Sequence, residues 1–99
     1  MALDRDGLLA AISSKLGASP DPEGKSDLVG SQGHLNVAAT AAEIGPAIDR
    51  LRPLDGYRWI VINAGDLFTA SPRTIGTKVG IMDATGRVLK NADLPRKRD

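Results

Sequence analysis

Hydrophobic and polar positions alternate most regularly over residues 56–66, GYRWIVINAGD. In an extended chain Tyr57, Trp59, Val61 and Asn63 share one side, and Arg58, Ile60 and Ile62 share the other. The middle of the run is apolar on both sides, which predicts a central strand covered by two layers. Arg58 is expected to emerge at its edge, stem packed and guanidinium in water. LNVAAT predicts a second strand, with Leu35, Val37 and Ala39 on one face. TKVGIMDATGRVLKN predicts a hairpin. Val79, Ile81 and Val88 supply its strand positions, and Asp83-Ala84-Thr85-Gly86 has the order of a type I turn closed by a left-handed glycine.

A helical period runs over residues 4–16. Asp4 or Asp6 can cap its start, Leu9, Ile12 and Leu16 recur at i, i+3 and i+7 with Leu8 and Ala11 beside them, and Gly17 is a natural stop. So short a helix is not stable alone, and its stripe must dock on the body, on symmetry mates or on a partner. Residues 18–34 are rich in Gly, Pro and small polar residues, with Leu28 and Val29 the only sizeable apolar side chains, which predicts a flexible or extended arm. The stretch AAEIGPAIDRLRPLDG is ambiguous. Thr40 and Glu43 have capping-box spacing, but Gly45-Pro46 interrupts a helix launched there. A short helix over about 46–52 competes with an extended piece at Glu43–Ile44.

The fold class expected is therefore mainly β. An antiparallel β-sandwich or barrel-like body over 35–99 is preceded by an N-terminal docking helix (1–17) and an arm (18–34). The alternative is an α+β domain in which residues 41–52, or a shorter piece at about 46–52, form a helix packed on the sheet.

Composition narrows the function classes. Ninety-nine residues with 41% hydrophobic and 3% aromatic content make one domain with a modest core. A net charge of +1 gives no global field that calls for nucleic acid or a membrane surface. The exception is the terminal cluster Arg96-Lys97-Arg98, near Arg87 and Lys90, which could meet an acidic partner surface. The absence of cysteine excludes disulfides and thiolate sites. No stretch reaches membrane-span length, and the start lacks the apolar core of a signal peptide, so synthesis in the cytoplasm is expected.

Candidate chemistry is thin. INAGD resembles the strand tips at which α/β enzymes hold ligands, but Ser71-Pro72 argues against the helix that should follow, and the hairpin argues for antiparallel pairing. Gly24-Lys25-Ser26 ends like a phosphate-binding loop, yet Ser19 stands where the first glycine should be. His34 is the sole histidine, and activation of a nucleophile would require Ser13, Ser14, Ser31 or Ser71 to meet it. Asp21, Glu23 and Asp27 lack calcium-loop spacing, and Asp55, Asp66 and Asp83 neighbour glycines or turns, where acids bond local amides. No catalytic residue, cofactor or metal site is expected. Trp59 is better read as core than as a base-stacking platform, so nucleic acid is not an expected partner.

From Leu35 onward the order of features resembles a small β-rich module of tailed-phage and prophage virion proteins, among them head-fibre and decoration proteins. The positions that carry it are Asn36, Val37, Thr40 and Ala41; Gly56, Arg58, Ile60, Ile62, Asn63 and Gly65; Ile75 and Gly76; and Val79, Gly86 and Leu89. The connection AIDRLRPLD is longer and more charged than the usual link, and the chain stops at Asp99 where such modules commonly run on. The resemblance implies a non-enzymatic virion structural protein, a homo-oligomer such as a trimer, with other virion proteins as partners. On that view Leu9, Ile12 and Leu16 on the helix, Leu28 and Val29 on the arm, and Arg96, Lys97 and Arg98 in the tail are the expected contacts. A small inhibitor or adaptor encoded by a mobile element, binding one host protein, is the rival expectation.

Overall fold

A computed structural model describes residues 2–94. Its six strands are β1 (Ser19–Pro20), β2 (Leu28–Gly30), β3 (Gly33–Ala38), β4 (Arg58–Ile62), β5 (Gly80–Asp83) and β6 (Val88–Lys90). Its three α-helices are α1 (Arg5–Leu16), α2 (Ala41–Leu51) and α3 (Leu67–Thr74), the last entered through a single 3-10 turn at Ala64–Asp66. The strands form one sheet whose spatial order follows the chain, β1 to β6. The outer pairs are antiparallel, but β3–β4 and β4–β5 are parallel, with Leu35 opposite Trp59 and Ile60 opposite Ile81.

This is an α+β domain with a mixed sheet, and the α+β alternative describes it. The antiparallel sandwich expected for the body does not form, because parallel neighbours need crossovers and α2 and α3 supply them. α2 is longer than the 46–52 segment. Ile44, Ala47, Ile48 and Leu51 fall at i, i+3, i+4 and i+7 and are all buried. Covering the three large side chains contributes about 1.5–3 kcal/mol each, which exceeds the roughly 3 kcal/mol cost of an interior proline. Pro46 also deprives only the Ala42 carbonyl of its helical donor, and Ala42 is exposed, so water can take that bond. Pro72 is accommodated in α3 in the same way, opposite exposed Phe68.

Two apolar layers flank the sheet. On one side Ile60, Ile62 and Ile81 pack against α2 and α3; on the other Leu35, Val37, Trp59, Val61 and Met82 pack against Leu8 and Ile12 of α1. β4 is thus central and covered on both faces, with the side-chain alternation the sequence predicts. The hairpin at residues 80–90 also forms. Asp83 Oδ1 accepts from Thr85 and Arg87 N–H groups, and Gly86 takes the left-handed φ of 82° that closes the turn.

Two local expectations change. Arg58 is not wet: it is 2% exposed, and its guanidinium donates to the carbonyls of Leu51 and Arg52 at the end of α2 and to that of Thr77. Residues 18–34 are not a free arm. β1 and β2 extend the sheet, Leu28 is in the core, and a two-residue loop between Gly30 and Gly33 turns β2 back into β3. Gly33 is required there, since its φ is 113° and a Cβ would run into the Tyr57 carbonyl.

Candidate functional site

The sole histidine does meet a serine, and it is Ser26, not Ser13, Ser14, Ser31 or Ser71. Ser26 Oγ lies 2.8 Å from His34 Nδ1, 2.9 Å from the Leu28 carbonyl and 3.1 Å from Asp21 Oδ2. Asp21 also accepts from the backbone N–H groups of Glu23 and Ser26, and its Oδ2 stands 3.6 Å from the same His34 nitrogen. These bonds hold the Asp21 carboxyl below the usual carboxylate range, the Glu23 amide contributing most. The arrangement is a loop lock, not an activated nucleophile. Acid and hydroxyl share one ring nitrogen instead of flanking the ring, and Ser26 is 4% exposed, out of reach of a substrate. A turn over Asp21–Gly24, with Gly24 N–H bonded to the Asp21 carbonyl, closes the loop on the Asp21 side. Lys25 pairs with Glu23 at 3.5 Å on the outside of that loop.

A second polar cluster ties three elements together. Asp27 Oδ1 pairs with Arg5 of α1 at 2.8 Å and with Arg50 of α2 at 3.4 Å, while Oδ2 accepts from the Val37 N–H at 3.0 Å. The Asp27 amide in turn donates to Asn36 Oδ1, and Asn36 Nδ2 donates to the Ala47 carbonyl on α2. Burial pushes the Asp27 carboxyl up, but Arg5, the Val37 amide and Arg50 together outweigh it and hold the group below the ordinary range. Beside the cluster lies a cavity of about 200 Å³ lined by Arg5, Glu43, Pro46 and Arg50, among others. The Asp27 and Glu43 carboxylates balance its two guanidinium groups, so it carries no net field for an anion.

The INAGD segment ends, as ligand-binding strands do, at the carboxyl edge of parallel strands. There Asn63, Ala64, Gly65 and Asp66 line a cavity of about 390 Å³ together with Ala2. The Asn63 amide is already engaged, with Leu3 N–H and carbonyl and with the Ala39 carbonyl. Asp66 is the one titratable group in that lining, so the cavity holds no acid–base pair. Among the described residues no cluster of His, Cys, Asp or Glu has the form of a metal site, and no helix is long and apolar enough to cross a membrane.

The expected contact residues fall in different places. Ile12 and Leu28 are fully covered by the chain's own core, and Leu9 and Leu16 pack at its border. Val29 is half-buried on β2, between Ser19 of β1 and His34 of β3. Of the docking options for the first helix, the body is the one realised. Arg96, Lys97 and Arg98 lie outside the described residues.

The two most exposed large apolar side chains lie instead on α3 and at its C-terminal cap. Phe68 is 91% and Ile75 73% exposed, and Pro72 between them is exposed as well. Their spacing, i, i+4 and i+7, puts all three on one outward stripe. The signal was in the sequence but needed α3 to be recognised as a helix, and Ser71-Pro72 read as a break.

No protein-family model, curated protein or solved structure matches this chain.

Proposed function

We propose that the chain is a structural accessory of a phage or phage-like particle, of the head-fibre, decoration or connector type, acting through protein–protein contact and not through catalysis. The exposure of Phe68 carries this reading. In a chain with one phenylalanine, that side chain stands in solvent at one end of a short apolar stripe, where a partner would remove it from water. The polar clusters point the same way. Asp21, Ser26 and His34 are directed at one another, as are Arg5, Asp27 and Arg50.

The positions that resemble the virion module act as scaffold residues. Asn36 fastens β3 to α2, Arg58 closes the end of α2, and Asn63 holds the N-terminal segment. The resemblance is to a β-rich module and the domain is α+β with a mixed sheet, so the particle reading rests on the surface more than on the fold. A particle that presents many copies compensates for a small contact on each.

Light scattering on the chain, alone and co-expressed with its neighbouring gene products, tests this. Assembly above the 10.4 kDa monomer mass is expected, and Phe68→Asp/Ile75→Asp should abolish it while leaving the fold intact. A monomer that joins no particle protein, or one that binds a single host protein, would overturn the particle reading.

A further inference from the structure

We infer that the loop joining β1 to β2 is a pH-dependent latch, fully fastened to β3 when the His34 ring is charged and loosened when the ring is neutral. This is independent of the assembly reading.

Ser26 Oγ is surrounded by more acceptors than it has hydrogens. The Leu28 carbonyl, Asp21 Oδ2 and His34 Nδ1 lie 2.9, 3.1 and 2.8 Å from it, and a hydroxyl donates once. With a bare Nδ1, two of the three contacts set lone pair against lone pair. With a hydrogen on Nδ1 the network closes. The ring donates to Oγ, Oγ donates to the Leu28 carbonyl, and Asp21 Oδ2 keeps the Ser26 amide at 3.0 Å. Ser26 is buried, so water does not repair a mismatch there.

A neutral ring holds that hydrogen only by giving up the one on Nε2, whereas the charged ring holds both. The charged ring also sets a positive charge 3.6 Å from Asp21 Oδ2, the one carboxylate within ion-pair distance among the described residues. Asp21 is held below the usual carboxylate range, so it stays ionised where histidine titrates.

The other charged groups around the ring are engaged elsewhere. Arg58, its register neighbour on β4, opposes a charge on the ring, but its guanidinium donates to the carbonyls of Leu51, Arg52 and Thr77, with Asp55 acting on it. Arg50 of α2 is held by Asp27, and Glu23 and Lys25 on the loop hold each other. Val29, the neighbour on β2, is uncharged.

The ring is 22% exposed, so it exchanges its proton with water. Deprotonation takes the charge from beside Asp21 and leaves the network to a single tautomer. β1, paired with β2 at only two positions, loosens with the loop. The contribution of the latch is therefore present below the ordinary histidine range, about pH 6.5, and is lost above it.

The single histidine makes the test direct, since its ring gives one titrating resonance. Asp21→Asn should move that titration to lower pH. In the wild type, amide hydrogen exchange over residues 21–28, corrected for intrinsic rate, should be about three- to tenfold slower at about pH 5.5 than at about pH 7.5. His34→Asn keeps an N–H for Ser26 Oγ but carries no charge, so its loop should exchange alike at both pH values. Tryptophan fluorescence confirms a native fold in each variant. Equal protection at both pH values in the wild type overturns the inference. So does a step that persists in His34→Asn, or a ring titration that Asp21→Asn leaves in place.

Discussion

The side-chain amide of Asn63 holds the backbone of Leu3 on both sides, Oδ1 accepting its N–H at 2.9 Å and Nδ2 donating to its carbonyl at 2.9 Å. Nδ2 also donates to the Ala39 carbonyl at 3.2 Å. Asn63 thus acts as a short piece of strand backbone beyond the end of β4, binding the start of the chain to the carboxyl edge of the sheet. Asn63→Asp keeps the shape and the acceptor but turns a carboxylate toward two carbonyls. A loss of about 1–3 kcal/mol is expected in urea unfolding, with faster hydrogen exchange at Leu3. An unchanged midpoint would mean that the clasp contributes nothing.

Acid should weaken the fold through Asp27. Its folded pKa is depressed below the ordinary value, so the stability it contributes is present above the unfolded pKa, near 3.8. That stability is lost as pH falls from there through the depressed folded value. Asp21 and Asp83 are depressed as well and titrate in the same direction. Asp27→Asn should lower stability near neutral pH and flatten the acid limb of a stability–pH curve. Because Arg5 and Arg50 are half exposed and can turn to water, about 1–3 kcal/mol is expected, less than for a fully buried pair. A variant whose curve falls as steeply below pH 4 as that of the wild type would remove Asp27 from this role.

Arg58 should tolerate no shorter cation. Its fork reaches Arg52 and Thr77 carbonyls at 3.1 and 2.9 Å from a site where burial lowers the guanidinium pKa, with Asp55 acting against it. Arg58→Lys cannot serve both elements and leaves a carbonyl at the end of α2 or at Thr77 without its donor. Thermal unfolding should show a loss of about 1–3 kcal/mol.

Gly80 is a packing glycine. A Cβ there would stand 2.5 Å from Trp59 Cε3 and 2.6 Å from the Ala92 nitrogen. Gly80→Ala should destabilise by about 1–3 kcal/mol, as overpacking of a filled site does, and should alter the emission of the single tryptophan. Unchanged emission and stability would show that this side of the sheet is loosely packed.

Much of the sheet was legible because side chains along its strands alternate between the two apolar layers. β4, β3 and the Asp83–Gly86 hairpin are where alternation and turn chemistry place them. The first helix was legible from Asp4 and Gly17, which are its actual caps. The parallel pairing was not. Proline at 46 and 72 argues locally against both crossover helices, and only the summed burial of Ile44, Ile48 and Leu51 against strands distant in sequence overrides it. With the helices missing, Phe68, Pro72 and Ile75 had no common face to share. The meeting of Ser26 with His34 depends on the pairing of β2 with β3, which no local pattern specified once residues 18–34 were read as an arm.

Hydrogen–deuterium exchange followed across a range of protein concentrations separates the α3 face from every other surface. Amides of residues 67–76 should gain protection as concentration rises, while those of residues 5–16, already packed on the sheet, should not change. Protection that grows over residues 5–16 and stays constant over residues 67–76 would place the contact on the first helix and contradict assembly through Phe68 and Ile75.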